Sequence, residues 1–218
     1  MIELMQVSKQ YSRGRGVHDV SFRISKGEWV LLVGDSGAGK STILRMIYGA
    51  VRPDSGDLIV ASKRLSQVND NSLPSLRREM GIIDQDLTLV DDRSVYRNVS
   101  LVGEVHGWSK KKTKQQSLRV LNRVGLHAHL DQLPTKLSRG ELRRLAIARA
   151  LVAQPFVLIA DEPLIHLDTE TAGSIIELLE KIHAQGTSIL LATHRSELFD
   201  GYPVRRLLIE DGEVREES

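Results

Sequence analysis

Gly34-Asp35-Ser36-Gly37-Ala38-Gly39-Lys40-Ser41-Thr42 is the stretch that decides the fold. The apolar run at residues 29–33 precedes it, and a second apolar run, residues 43–47, follows it with helical character. The order is therefore strand, glycine-rich loop, helix. The spacing G-x-x-x-x-G-K-S in that setting is the P-loop pattern, so the sequence predicts a phosphate-binding loop.

The chemistry of phosphate binding explains these residue types. Glycines let the backbone curl into a nest of N–H groups that face an anion, and the following helix start adds the positive end of its dipole. Lys40 is expected to reach the β- and γ-phosphates, and the Ser41 hydroxyl to bind Mg²⁺. An ordinary glycine-rich turn is the alternative, which the flanking strand and helix disfavour. The loop alone indicates a nucleoside triphosphate and leaves kinase, GTPase and motor open.

Composition bounds the class of protein. The 218 residues suffice for one large domain or a domain with a lobe, and 41% hydrophobic with 27% charged residues is typical of a soluble globular chain. A net charge of +2 is too small to indicate a nucleic-acid partner. The absence of cysteine excludes a disulfide framework or a cysteine metal site. We find no signal peptide pattern and no apolar run near the ~20 residues of a membrane helix, so membrane contact is expected only through a partner.

The first third of the chain reads as strands around the P-loop. Ile2, Leu4 and Val7 alternate with polar residues, as do the apolar residues of stretch 18–25, which predicts two strands in antiparallel pairing. Residues 57–60 and 80–84 follow as further strands. Gln85 comes directly after the second of these, at the strand end where α/β sheets place ligands.

Between residues 86 and 155 the pattern becomes helical, and we predict a helical lobe inserted into an α/β core formed by residues 1–85 and 156–218. Leu118, Leu121 and Val124 mark one amphipathic helix. A charge run with four lysines, residues 109–114, lies just before it. We favour a solvated helix face for this run; the alternative is contact with anionic lipid headgroups or an acidic partner.

A second helical signal begins at Leu137 and is predicted to continue through residues 142–154, where Pro155 ends it. Ser138 and Glu141 have the spacing of a capping box, which by itself indicates only a well-capped helix. The same helix start also offers N–H groups and a positive dipole end to a phosphate, which is the functional alternative.

Two continuous apolar runs predict buried parallel strands, and each ends in polar residues. Residues 156–160 lead into Asp161 and Glu162, and residues 188–192 lead into Thr193 and His194. Asp161 suits the water shell of Mg²⁺, and Glu162 suits a base that orients and deprotonates water. The alternative of solvated loop acids conflicts with the burial expected of such a strand. A lone histidine is usually structural, but this one shares a strand-end position with the acids, so we favour a role in the site.

Taken in order, these motifs resemble those of ABC-type ATPases over essentially the whole chain. The resemblance implies an adenine-stacking aromatic at Tyr11, which by position alone would be an ordinary loop tyrosine. It implies a Walker A loop at residues 34–42, a glutamine at Gln85 that touches Mg²⁺ and the attacking water, and a Walker B aspartate at Asp161. It also implies a catalytic glutamate at Glu162, a D-loop residue at Asp168 and a γ-phosphate contact at His194. The nucleotide-binding signature of this resemblance comprises Leu137, Ser138, Arg139, Gly140 and Glu141.

The resemblance also implies partners. In this family two units face each other and hold each ATP between Walker A of one and the signature of the other, so one copy of each motif implies a homodimer. Within the family the chain resembles the cell-division ATPases, which act on the inner face of the bacterial membrane with an integral membrane partner. Stretches 76–78, 81–86, 92–99 and 192–194 carry that likeness. Lipoprotein-releasing and macrolide-exporter ATPases are similar, and a soluble ABC ATPase or a weakly hydrolysing regulatory module are the further alternatives.

Three positions depart from the usual family pattern. Arg139 stands where the family has glycine, Asp84 where it has an aromatic or apolar residue, and residues 164–168 read L-I-H-L-D rather than T-G-N-L-D. Arg139 could add a charge-assisted bond to the facing γ-phosphate or could crowd the nucleotide. We expect these departures to bear on turnover rather than on nucleotide binding.

Overall fold

Two β-sheets and six α-helices make up the computed structural model, which describes residues 1–11 and 16–217. The strands are β1 Ile2–Gln10, β2 Gly16–Ile24, β3 Trp29–Val33, β4 Ser55–Val60, β5 Lys63–Arg64, β6 Met80–Ile83, β7 Val157–Asp161, β8 Ser188–Thr193, β9 Arg205–Glu210 and β10 Glu213–Glu216. The helices are α1 Lys40–Ile47, α2 Leu73–Arg78, α3 Val95–Val105, α4 Lys110–Arg123, α5 Arg139–Leu151 and α6 Thr169–His183.

The larger sheet positions the site. Its strand order is β10-β9-β3-β8-β7-β6, and all neighbouring pairs are parallel except β10 with β9. Every residue of β3, β7 and β8 is buried, because both faces of the sheet are covered. The carboxyl ends of these strands therefore meet at one edge, and the predicted P-loop NTPase architecture is confirmed.

The smaller sheet has the order β2-β1-β4-β5 and is antiparallel throughout, as the alternating patterns predict. Its apolar face packs with α1 against one face of the larger sheet. The core between them includes Leu4, Val20, Ile43, Leu58 and Ile159. Helix α1, which follows the glycine-rich loop, is thus held between two sheets.

Helices α3 to α6 cover the other face of the larger sheet. Leu31, Leu158 and Ile189 of the sheet share that core with Val99, Leu121 and other helix residues. One expectation is wrong in detail: the lysine run does not precede the amphipathic helix but forms its first turns, because Ser109 caps α4. Helices α3, α4 and α5 lie within residues 86–155 and contact one another; that this stretch is a separate lobe stays a prediction. Across the described ranges, no helix has the length and apolar character needed to cross a membrane.

Candidate nucleotide site

The loop between β3 and α1 is shaped by its glycines. Gly37 and Gly39 have φ of 89° and 115°, in the left-handed region that residues with a Cβ rarely adopt. A Cβ on Gly34 would collide with the carbonyl oxygen of Ile209. The Lys40 ammonium donates hydrogen bonds to the carbonyls of Gly34 at 2.6 Å and Asp35 at 3.0 Å, so the loop curls around it. This is the predicted strand, loop and helix.

A cavity of about 430 Å³ lies beside this loop. It brings together residues that the sequence places at separate strand ends. Its lining comprises Asp35, Ser36, Gly37, Gly39, Lys40, Ser41, Thr42, Gln85, Glu162, Ile165 and His194. A larger cavity of about 990 Å³ shares residues 35–37 and His194, and includes Ala38. Its other walls include Gly16, His18 and residues 208–212, which no sequence signal indicated.

Glu162 lies between two basic side chains. Its Oε1 is 3.3 Å from Lys40 Nζ, and its Oε2 is 2.9 Å from His194 Nδ1. The residue is only 9% exposed, and its φ of 46° directs the chain away from the strand direction directly after β7. Its main-chain N–H donates to the Ala192 carbonyl at 2.9 Å, which fixes it against β8. The carboxylate is thus anchored at the cavity wall beside the phosphate loop.

Asp161 ends β7 and is 8% exposed. Burial raises the pKa of its carboxyl, although a hydrogen bond with Ser41 and the charges of Arg45 and Lys40 oppose that rise. Within residues 1–11 and 16–217, its Oδ1 is buried and has no hydrogen-bond partner. A carboxylate oxygen lacking a donor beside a serine hydroxyl fits a hard divalent cation, which prefers oxygen ligands. The residues present therefore fit Mg²⁺.

The signature residues lie elsewhere on the chain. Ser138 and Glu141 form the predicted capping box: Glu141 Oε2 accepts from Ser138 N at 2.8 Å, and Ser138 Oγ accepts from Glu141 N at 3.3 Å. Gly140 sits so close to α6 that a Cβ would lie 2.7 Å from Thr171 Cγ2. Asp168 caps α6 through the Thr171 main chain at 2.8 Å. None of residues 138–141 or Asp168 lines either cavity.

Two arginines of α5, which sequence reasoning missed, hold the segment that carries Gln85. Arg143 Nη1 donates to the Gln85 carbonyl at 3.2 Å. Arg149 donates to the carbonyls of Leu87 and Thr88, both at 2.7 Å, and these two residues have φ of 60° and 44°. Arg143 is buried in the structure. In the sequence, the signal that could have marked it is a charged residue at helical spacing from the apolar Ala146 and Ile147. Helix α5 thus begins within the signature and contacts the segment after β6 through two of its arginines.

Tyr11 follows β1 and is 41% exposed. Its ring centroid lies 5.9 Å from Lys9 Nζ, and it does not line either cavity. The next four residues, 12–15, lie outside the described ranges. The adenine contact at Tyr11 stays a prediction.

Comparisons with known proteins identify the family of this chain. Residues 17–165 match the family model described as "ABC transporter". The chain is 42% identical over 220 residues to the cell division ATP-binding protein FtsE of Streptococcus pneumoniae, covering 100% of this chain and 96% of that protein. It is 42% identical to the methionine import ATP-binding protein MetN of Ralstonia nicotianae, of which it covers 63%. The structure resembles a dimeric, post-hydrolysis ATP-binding cassette bound to ADP and Pi, with a TM-score of 0.89, 30% identity and coverage of 100% and 98%.

Proposed function

The chain belongs to the ABC transporter family and is an ATP-hydrolysing enzyme, and from that premise we propose that it is the motor subunit of a bacterial cell-division complex. In this proposal it binds Mg-ATP, pairs with a second copy of itself and drives an FtsX-like integral membrane protein. It would then lie at the inner face of the plasma membrane through that partner. The observation that carries the chemistry is the Glu162 carboxylate, held between Lys40 and His194 beside the phosphate loop.

Each residue of the cavity has a proposed task. The loop amides and Lys40 bind the phosphates, so charge that develops during phosphoryl transfer is met by fixed donors. Glu162 orients and deprotonates water, and His194 holds that carboxylate and reaches the γ-phosphate. Ser41, Asp161 and Gln85 would hold Mg²⁺, which when bound neutralises phosphate charge. Arg143 positions Gln85 through its main-chain carbonyl, and Arg149 fixes the carbonyls of Leu87 and Thr88 that follow it.

We propose a homodimer because the signature residues do not line the cavity of their own chain. Ser138 and Arg139 are exposed at the start of α5, and Asp168 is exposed at the start of α6. The capping box satisfies the N–H groups of Ser138 and Glu141, but those of Arg139 and Gly140 have no partner among the described residues. Such N–H groups at a helix start are suited to phosphate, yet these residues do not line the chain's own cavity. A second copy facing the first would bring its signature to the nucleotide. The solved relative bound to ADP and Pi is itself described as dimeric, which supports the proposal.

For the membrane partner we propose a surface between Gln85 and Trp108. The large apolar residues of this stretch include Leu87, Leu89, Val95 and Tyr96. Val95 is fully buried and belongs to the core, whereas Leu87, Leu89 and Tyr96 are only partly buried. Residues 91–93 are exposed between them and offer charges that a substitution can reverse.

Co-expression tests this proposal. The chain should sediment with membranes when an FtsX-like protein is made beside it, and should lose that association when Asp91, Asp92 and Arg93 are reversed in charge. ATP affinity should stay unchanged, because these residues lie outside the cavity. If the chain remains unattached beside the partner, or if the reversed variant binds as well as the parent, the membrane-motor proposal fails and a soluble ABC ATPase replaces it.

The second candidate is the ATPase subunit of a transporter, either of the lipoprotein-releasing or macrolide-exporting kind or of an importer. The 42% identity to a methionine import ATP-binding protein favours keeping it. The two candidates share the cavity chemistry and differ only in the partner. Stable capture of a transporter's membrane subunit, in place of the FtsX-like protein, would select this second function.

A further inference from the structure

The corner between α3 and α4 combines exposed apolar, aromatic and basic side chains. Val105 ends α3 and is 59% exposed, among the most exposed large apolar residues of the described chain. Trp108 follows in the connection and is half-buried. Lys110, Lys111, Lys112 and Lys114 occupy the first turns of α4, all of them exposed. We refer to Val105, Trp108 and these four lysines as the α3–α4 corner.

The packing of the two helices holds these groups together. Gly103 approaches Thr113 so closely that a Cβ would lie 2.6 Å from the threonine Oγ1. Val105 is two residues from that contact on α3, and Lys112 and Lys114 flank it on α4. The Lys112 ammonium lies 4.4 Å from the centre of the Trp108 ring, a cation–π distance. The Gly103–Thr113 packing and the Lys112–Trp108 contact therefore place the end of α3 beside the start of α4.

The charges of α4 are not balanced within the chain. Its sequence contains six lysines and arginines and no acidic residue. Among residues 1–11 and 16–217, none of these six cations forms an ion pair. Lys110 and Lys114 are four apart, a spacing at which like charges destabilise a helix, and lysines in a first turn oppose the helix dipole. A helix face that was only exposed to water would not require closely spaced lysines in the first turns of α4.

We propose that the α3–α4 corner binds the surface of an anionic phospholipid bilayer directly. Lysines attract anionic headgroups, while Val105 and Trp108 are suited to the boundary between headgroups and acyl chains. The exposed Val105 favours lipid over nucleic acid, because a phosphate backbone has no apolar group for the valine to pack against. The net charge of the whole chain is only +2, so the electrostatic attraction is confined to the corner. The corner overlaps the end of the surface proposed above for a membrane protein, since Val105 and Trp108 belong to both. It goes beyond that assignment, because it needs no protein partner.

Binding through one such corner should be weak and reversible, since stable membrane attachment needs two signals. The corner would therefore add to attachment through a membrane protein and orient the subunit against the bilayer. Protein made alone would still remain largely in the aqueous fraction. Only vesicles at high lipid concentration would reveal the contact.

Flotation with purified protein and vesicles tests the proposal without any partner. The chain should bind vesicles of phosphatidylcholine mixed with phosphatidylglycerol, should not bind phosphatidylcholine alone, and should release at high salt. Replacing Lys110, Lys111 and Lys114 by Gln should weaken binding roughly a hundredfold, from about fivefold for each lysine. The substitution keeps helix propensity and leaves the Lys112–Trp108 contact intact. Unchanged ATP affinity would show that the variant is folded.

A matched control removes the same charge elsewhere. Lys26, Lys63 and Lys181 are exposed outside the corner, and their replacement by Gln gives the same net charge. The control should bind vesicles like the parent, whereas Val105→Ser should lose part of the binding at each salt concentration at which the parent binds. Equal loss in the control, or no preference of the parent for anionic vesicles, overturns the proposal. Stronger binding to polyglutamate than to anionic vesicles also overturns it, in favour of an acidic protein partner.

Discussion

Arg139 Nη1 donates a hydrogen bond of 3.2 Å to the main-chain carbonyl of His166. The two residues are both departures from the usual family pattern, and the structure joins them. His166 has φ of 61°, in the left-handed region that histidine and asparagine adopt more readily than most side chains. Histidine is therefore accommodated where the family has asparagine. Arg139 in turn ties the start of α5 to the segment that precedes Asp168.

We expect Arg139→Gly to change turnover by well under tenfold, which is about 1.4 kcal/mol of barrier. The arginine is exposed and has a carbonyl partner away from its own cavity, so it need not block a facing nucleotide. Steady-state ATP hydrolysis measures the effect, with Arg139→Lys as the control that keeps the charge. A large activation in Arg139→Gly alone would show that this side chain restrains the enzyme.

Lys40→Ala should abolish ATP binding while the chain stays folded. The ammonium is the point charge expected at the β- and γ-phosphates, and no other lysine among the described residues lines the cavity. The variant also leaves the buried Glu162 carboxylate without the Lys40 ammonium, so the free energy of unfolding should fall by about 1–3 kcal/mol. Nucleotide titration and urea unfolding measure the two effects, with Lys26→Ala as a surface control. Unchanged affinity would remove Lys40 from the phosphate site.

Glu162→Gln should lower turnover by roughly 10²–10⁴-fold, because the amide cannot take a proton from water. It should also accumulate an ATP-bound dimer, visible by size-exclusion chromatography with ATP and Mg²⁺. His194→Ala tests whether the histidine acts through Glu162, to which it is bonded at 2.9 Å. If it does, the double variant should be no slower than Glu162→Gln. Additive losses would give His194 an independent role, and normal turnover in Glu162→Gln would exclude Glu162 as the base.

The sequence alone correctly predicted the features whose residues lie close together in the chain. Residues 34–42 with their flanking strand and helix, the capping box at Ser138, and the buried strands at 157–161 and 188–193 all carry local patterns, and the structure has them. That Gln85, Glu162 and His194 share a cavity also followed, since parallel strands place their carboxyl ends at one edge of the sheet.

Side-chain contacts between residues far apart in the sequence could not be predicted from the sequence. Arg149 reaches the carbonyls of Leu87 and Thr88 over about sixty residues, and no local pattern specifies which carbonyls a buried arginine will find. The walls at Gly16, His18 and residues 208–212 come from elements with no phosphate-binding signature. Helix α6 was also not predicted, although Asp168 caps it and its apolar residues recur at helical spacing.

His106, between α3 and α4, should make the stability of the chain depend on pH. Burial lowers the pKa of its imidazole from the usual 6.5, and the positive charges of Arg78 and Lys112 lower it further. Both ring nitrogens are buried with no hydrogen-bond partner in the described residues, and the ring packs 5.2 Å from that of Trp108. The folded chain therefore favours the neutral ring, whereas the unfolded chain takes up a proton near pH 6.5.

The direction of the pH effect on stability follows from which state, folded or unfolded, binds more protons. Below pH 6.5 the unfolded state binds more protons than the folded state at this residue, so the free energy of unfolding falls as the pH drops. Above that pH the ring is neutral in both states and contributes no slope. Urea unfolding in a pH series that crosses 6.5 should show a shallower decline for His106→Gln than for the parent chain. His127→Gln, at an exposed histidine after α4, is the matched control and should keep the parent slope. If His106→Gln retains the full decline, other groups cause it and the buried ring is not the pH-sensitive element.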